Sequence, residues 1–348
     1  MHTDRPIADR DRFTDAGPAV SGSVQELIAV ADGPPRPIVD GAGKSGAILE
    51  RLTIGGVPHV LKVLDPSIDW TLRAVDSQQH CAAMWERGLL HRLPACLNQP
   101  IVGVARETRS DGTVIVGLLM RDVGPSLVPV SDEPITLDQH RAFLAHMAAM
   151  HVQFWMAGPE IDLVPLALRY LELSPRMARR EAELGSSHLV PRLVGEGWER
   201  FAELAPDASG IVMPLLDDPA PFVSAVSTTP LTLLHGNWKL DNLGTDEQAR
   251  TVVLDWEAPG RGPGTTDLAW YLAINCRRVP TSKEESIETY RGALESLGVD
   301  TAPWWERQLA LGLLGAMLHF GWEKALGGRD DEFEWWESHA IAGAEHLA

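Results

Sequence analysis

Two short segments of the 348-residue chain hold side chains whose types and spacing suit phosphoryl chemistry: His235-Gly236-Asn237-Trp238-Lys239-Leu240-Asp241-Asn242, and Val252-Val253-Leu254-Asp255-Trp256-Glu257. Moving a phosphoryl group onto a hydroxyl requires orienting the hydroxyl, clamping the phosphates and holding magnesium. A polar residue placed five positions before an Asn, on a loop between short strands, can face the acceptor while the Asn reaches the metal. A second strand ending in Asp adds a carboxylate, and oxygen ligands of this kind suit Mg²⁺. Asn242 and Asp255 are therefore the metal candidates, and Asn237 stands at the acceptor. Glu257, two positions past Asp255, shares its face if the segment is a strand. It is equally readable as a magnesium or acceptor contact and as a rim carboxylate.

The arrangement resembles the aminoglycoside phosphotransferase and choline-kinase branch of the protein-kinase-like superfamily. That branch has a catalytic loop HGDxxxxN and a metal strand (I/V)xDW, followed by DLA. Here His235-Gly236, Asn242, Asp255-Trp256 and Asp267-Leu268-Ala269 match. The likeness is strongest over residues 231–272 and extends, through the order of lobes, over most of 36–272. One position departs: the family's catalytic Asp is Asn237, and an amide is no base at neutral pH. Three explanations stay open. The position is an engineered Asp→Asn change or a natural one with residual activity; the reaction proceeds without a general base, as a loose transition state allows; or the chain is a catalytically silent relative that binds nucleotide. Lys239 resembles the loop cation that touches the transferred phosphate, where it would stabilise developing charge. Asp241 reads as a solvated loop acid rather than a replacement base. By resemblance, Asp267 braces the catalytic loop that begins at His235; the plainer reading is a helix cap, and one residue can do both.

The same resemblance assigns the nucleotide side. Lys62, in the strand-like VPHVLKVL that follows a glycine loop and a hairpin, is placed to hold the α- and β-phosphates. Glu86 on the following helix is its expected ion-pair partner. Gly41-Ala42-Gly43-Lys44-Ser45-Gly46 is no Walker loop, because position 38 is Ile38 and the next segment reads as a strand. A glycine hairpin over the phosphates, with Gly43 and Ser45 in contact, fits better. Met120, Arg121 and Val123 resemble the family's hinge, Met120 lying behind the base while the Arg121 carbonyl and the Val123 amide read the purine. Main-chain reading suits ATP or GTP alike. For the acceptor, the candidates are Trp238, Trp270, Tyr271, Asn275, Arg278, His319, Trp322 and Glu323. His319 also reads as a core-edge histidine, Arg278 as a solvated helix end, and about half of the paired Trp residues as core.

These residues need elements to position them. Residues 1–23 read as a mobile tail and 24–31 as a short helix. Alternating apolar runs and the Gly55-Gly56 turn signal predict a five-stranded antiparallel sheet through residue 120. It carries one helix, over 76–93, stopped by Pro94. Helical periodicity dominates from 121 to 348, with strong helices at 304–326 and 332–347. LTLLHG and TVVLDW read as a strand pair around the catalytic loop. The expected fold is α+β and bilobal, protein-kinase-like, with a nucleotide-binding N-lobe over 24–120 and a helical C-lobe over 121–348.

Composition narrows the partners. There are 48 acids against 30 Lys plus Arg, a net charge of −18. That balance argues against nucleic acid and against an anionic membrane surface. Three scattered cysteines, with no CxxC pair, and a polar N-terminal stretch point to a reducing, cytoplasmic setting. The expectation is thus a kinase using ATP or GTP and Mg²⁺ on a small-molecule hydroxyl acceptor, as a monomer or homodimer. The resemblance implies an antibiotic of aminoglycoside or nucleoside type, a sugar or an amino alcohol, with antibiotic resistance as one role.

Overall fold

The computed structural model describes residues 20–38, 45–75, 80–161 and 163–347. Gly41 to Lys44, and with them the expected phosphate contact at Gly43, lie outside the described residues, as does the tail before Val20. The last residues of the expected tail belong to the fold. Ser21 lies beside Ala105 as a bridge, donating to the Val104 carbonyl at 2.9 Å and accepting from the Arg106 amide at 3.0 Å. Ser23 then caps helix α1 (Val24–Leu27), its hydroxyl accepting from the Glu26 amide at 3.1 Å.

The N-terminal sheet is built from β1 (Arg36–Pro37), β2 (Ile48–Ile54) and β3 (Val57–Leu64), and from two longer strands further along. Gly55 and Gly56 take φ of +55° and +78°, the mirror-image turn that a two-residue hairpin needs. The Asp32 carboxylate holds both of their amides, at 3.1 and 2.9 Å. The helix expected over 76–93 is broken. The chain forms α2 (Trp70–Ala74), α3 (His80–Glu86) and a 3-10 turn (Leu89–Arg92). The left-handed Gly88, at φ +65°, ends α3 before the apolar spacing at Leu89 can continue it. Among the described residues, α3 and the 3-10 turn stand where one helix was expected, with α2 before them. After β4 (Leu97–Asn98), β5 (Ile101–Thr108) and β6 (Val114–Arg121) complete an antiparallel sheet of order β1-β2-β3-β6-β5. In that register Lys62 stands between Leu49 and Leu118.

The rest is mainly helical. It comprises α4 (Leu137–Gln153), α5 (Leu166–Leu171), α6 (Pro175–Glu183), α7 (Leu189–Leu204), α8 (Pro206–Asp217) and α9 (Ala220–Val226), then α10 (Thr265–Ile274), α11 (Lys283–Ser296), α12 (Trp305–Gly327) and α13 (Asp331–Ala344). Buried nearly all round, α12 is the central helix, packed against α7, α10 and α13. It approaches α7 so closely that a Cβ on Gly197 would lie 2.4 Å from the Trp322 carbonyl oxygen.

Between α9 and α10 the chain forms β7 (Thr232–Leu234), β8 (Leu243–Thr245), β9 (Thr251–Val253) and β10 (Gly260–Gly262). The two apolar runs expected to pair with each other do not. β7 pairs with β10, whereas β9 pairs with β8 and, in parallel, with β4. A 3-10 turn at Leu240–Asn242 leads directly into β8, so β9 takes that nearer segment as its partner. The sheet and helical parts also meet through α2. The Arg73 guanidinium reaches both Glu181 carboxylate oxygens, at 2.8 and 2.5 Å, and Arg180 donates to the Arg73 carbonyl at 3.2 Å. The His188 ring lies 2.9 Å from the Ile68 carbonyl. The architecture is α+β: a small antiparallel sheet followed by a larger helical part.

Candidate active site

Three side-chain donors, from β3, the loop at Asn237 and the 3-10 turn, converge on the Asp255 carboxylate. Its Oδ1 accepts from Lys62 Nζ of β3 at 2.6 Å. Its Oδ2 accepts from Asn237 Nδ2 at 2.8 Å and from Asn242 Nδ2 at 3.3 Å, and Asn242 Nδ2 also donates to the Asn237 carbonyl at 3.0 Å. Asp255 itself has φ +69°, a left-handed conformation unusual outside glycine. The turn after β9 therefore spends backbone strain to aim this one carboxylate. Lys62 also forms an ion pair with Glu257. The three side chains are only 15%, 18% and 11% exposed, so their charges interact with little solvent screening. Burial alone would push the Lys62 ammonium down, but Asp255 and Glu257 together hold it above its ordinary value. Burial would raise the Asp255 carboxyl, yet Lys62 and Lys239 hold it well below the usual range. Glu257 goes the other way, pushed up by burial and then by the Asp255 charge.

The loop carrying Asn237 is held from behind. His235 is fully buried, with Nε2 2.9 Å from the Leu254 carbonyl and Nδ1 accepting from the Asn237 amide at 3.1 Å. Those partners fix the tautomer with the proton on Nε2, and burial depresses the ring's basicity. Trp238 and Trp256 flank that ring, with centroids 5.6 and 4.4 Å away. Gly236, at φ +81°, must be glycine: a Cβ there would lie 2.0 Å from the Ala258 carbonyl oxygen. Asp267 accepts from the His235 amide at 2.7 Å and from the Gly236 amide at 2.9 Å. It makes no cap, since the N-cap of α10 is Gly264. Bracing is its structural part. Burial opposes the Asp267 charge, but His151 and the backbone donors hold its carboxyl below the ordinary value.

Sequence reasoning missed two supports of this loop. His151 of α4 lies 3.3 Å from Asp267 through Nε2 and 2.6 Å from the Tyr290 hydroxyl through Nδ1. Arg169 of α5 is buried against the Gly236 carbonyl and Glu172, with its guanidinium 4.0 Å from the Trp270 ring centre. Burial lowers that guanidinium to about 10. The lone Arg in the apolar run LALRYL is the one local signal of such a role.

Other candidates stand elsewhere. Glu86 does not meet Lys62. It sits at the end of α3, 37% exposed, and pairs with Arg106 of β5 at 3.4 Å. The Ser45 carbonyl accepts from the Trp70 amide at 3.2 Å. Met120 is buried at the end of β6, and the Val123 carbonyl accepts from the Ser126 amide at 2.9 Å. The Arg121 side chain reaches Asn98 Oδ1 at 2.6 Å, and Asn98 in turn donates to Asp246 at 2.8 Å, tying the connector to the β8–β9 turn. Of the acceptor candidates, His319 is core: its Nε2 lies 3.0 Å from the Arg169 carbonyl and its ring stacks on Tyr170. Trp322 is buried and donates to the His319 carbonyl at 2.9 Å. Arg278 donates to the carbonyls of Glu133 and Pro129, both at 3.1 Å, fastening the connector rather than facing the loop. Asn275 accepts from the Leu240 amide at 3.0 Å, and Tyr271 bonds His140 at 2.9 Å. Glu323 pairs with Lys324 at 3.1 Å. Trp238 and Trp270 are buried beside the loop.

No protein-family model matches the sequence, and no curated protein does. Among solved structures the chain is similar to a microcompartment-associated aminopropanol kinase, at 14% identity and TM-score 0.47, covering 93% of this chain and 94% of that one. A thermostable mutant of an aminoglycoside phosphotransferase, in ternary complex with ADP and hygromycin B, is 14% identical with TM-score 0.47 over 92% and 96%. A choline kinase from Streptococcus pneumoniae is 11% identical with TM-score 0.47 over 92% and 97%.

Proposed function

We propose that the protein is a Mg²⁺-dependent small-molecule kinase that moves the γ-phosphoryl of ATP or GTP to a hydroxyl. The observation carrying this reading is the convergence of Lys62, Asn237 and Asn242 on the strained Asp255. One carboxylate and one side-chain amide oxygen, completed by phosphate oxygens and water, form the sparse oxygen set that Mg²⁺ accepts. Among the described residues no group of three or more His, Cys, Asp or Glu side chains could hold a metal, which leaves this two-residue site as the candidate. Mg²⁺ bound there would neutralise charge on the β- and γ-phosphate oxygens.

The chain's own residues divide the remaining work. Lys62 holds the α- and β-phosphates, and Lys239 stabilises charge on the transferred group. Asn237 orients the acceptor hydroxyl through its amide, and as the new P–O bond forms the hydroxyl proton passes to an oxygen of the transferred phosphoryl group or to solvent rather than to a side-chain base, with ADP or GDP as leaving group. His235, Asp267, His151 and Arg169 keep the loop in register. In this reading residues 24–120 bind nucleotide, with Met120, Arg121 and Val123 at the base, while 121–348 carry the catalytic loop and bind the acceptor. The acceptor class is an antibiotic of aminoglycoside or nucleoside type, a sugar or an amino alcohol, in a cytoplasmic setting where antibiotic resistance is one role. Among the described residues no helix is long and apolar enough to cross a membrane.

A catalytically silent nucleotide binder is the second reading. It is favoured by the Asn237 amide, which already donates to Asp255. Screening such acceptors with ATP and GTP, for the chain as it stands and for Asn237→Asp, separates the two. Product from either protein supports the kinase; Mg²⁺–nucleotide binding without product from both supports the silent reading. Failure to bind Mg²⁺–nucleotide, or binding unchanged in Asp255→Ala, removes both.

A further inference from the structure

We propose that Glu257, from the turn that carries Asp255, is the residue that positions Lys62, in place of an acid on α3. The inference rests on the kinase reading for its consequence and on the ion-pair geometry for its substance.

Lys62 has two acidic partners, Asp255 at 2.6 Å and Glu257. If Asp255 serves a metal through the Oδ2 that faces Asn242, part of its charge goes to that ion and its hold on the ammonium through Oδ1 weakens. A second acid must then hold Lys62 toward the phosphates, and Glu257 is that acid. The helix supplies no rival. Glu86 is spent on Arg106 at the surface, and the α3 residue that senses the Lys62 cluster is Cys81, 1% exposed and uncharged. Burial raises the Cys81 thiol, so α3 offers no charge to Lys62 at this position. Glu257 in turn meets Lys62 while only 11% exposed, so the contact is shielded from solvent. Lys62 is thereby positioned from the helical half of the molecule, so the phosphate-binding lysine is aligned only when both halves are docked.

The test compares Glu257→Gln, Glu257→Asp and Glu86→Gln in the full chain. The first measurement needs no nucleotide: acetylation of Lys62 by acetic anhydride, followed by peptide mass spectrometry. The second is calorimetric affinity for Mg²⁺–ADP. Glu257→Gln is expected to raise Lys62 labelling and to weaken Mg²⁺–ADP about tenfold or more, as loss of one member of a buried charge pair should. Glu257→Asp recovers most of both. Glu86→Gln, at its exposed pair, changes each less than about twofold, as surface pairs do. The proposal is overturned if Glu86→Gln matches Glu257→Gln, or if Glu257→Gln leaves Lys62 labelling unchanged. Should Glu257→Gln fold poorly, Glu86→Gln still decides: loss of Mg²⁺–ADP binding there returns the role to α3. Absence of Mg²⁺–ADP binding by the unaltered protein defeats the kinase reading, while the labelling comparison still decides the pairing.

Discussion

Asp255 and Asp267 lie on either side of the same loop and are satisfied in opposite ways. Asp267 is fully buried and takes its hydrogen bonds from the backbone amides of His235 and Gly236 and from His151. Asp255 is partly open, sits on strained backbone, and takes its partners from side chains, those of Lys62, Asn237, Asn242 and Glu257. Backbone donors cannot leave without unfolding the loop, whereas side-chain donors can swing away. A carboxylate held by the first kind is a brace. One held by the second can exchange its donors for a metal ion, and the difference separates scaffold from chemistry within one loop.

The sharpest way to break that contrast is to remove each acid. Asp267→Ala leaves two buried amides and a histidine without their acceptor, and a loss of about 3–5 kcal/mol in urea unfolding is expected. Asp255→Asn should leave urea stability within about 1 kcal/mol while abolishing stabilisation by Mg²⁺–nucleotide, which is worth ~2.7 kcal/mol at a hundredfold excess over Kd. Equal destabilisation by the two would erase the distinction. Asn237→Asp comes next. It turns a 2.8 Å hydrogen bond into a contact between two carboxylates. The metal-free protein should lose about 1–2 kcal/mol, and Mg²⁺ should restore it. A loss that Mg²⁺ leaves unchanged would count against a metal between the two positions.

A further contrast is a pH dependence on the brace side. Burial lowers the pKa of His235, takes His140 down to about 4, and holds His319 well below its usual value. Each stays neutral in the fold and protonates first in the unfolded chain. The stability they contribute is therefore full above about pH 6.5 and is lost as pH falls toward their folded values, by under ~2 kcal/mol for each at about pH 5. Urea unfolding at about pH 7 and about pH 5 measures this, and a flat profile would contradict neutral burial. Asp255, already held low by its cations, remains ionised throughout that range.

Much of the site could be read from the chain because its chemistry is local. His235, Gly236, Asn242 and Asp255 sit at short, characteristic spacings, and the structure gathers Lys62 to them from β3. What escaped was tertiary. Arg169 and His151 touch the loop from helices with no motif of their own. Glu86 was expected from apolar spacing that Gly88 interrupts, and the choice of Glu257 over Glu86 depends on which carboxylate is carried into the interior. The sheet was legible from alternation and the Gly55-Gly56 turn, whereas the pairing of β7 with β10 was not, because two apolar runs do not reveal their partners. The acceptor candidates Trp238, Trp270 and Trp322 are all buried, with Trp238 and Trp256 enclosing His235.

The contacts through α2 bear on how the molecule melts. The connector after Arg121 joins the sheet half to the helical half covalently, and Arg73 with Glu181, together with His188 on Ile68, fastens them again at α2. Halves tied there, and again by β4 on β9 and Lys62 on Asp255, share their unfolding free energy instead of keeping separate accounts of it. Heating should therefore produce one calorimetric transition with equal van't Hoff and calorimetric enthalpies, and cutting the tie with Glu181→Gln should split or broaden that peak before it moves it.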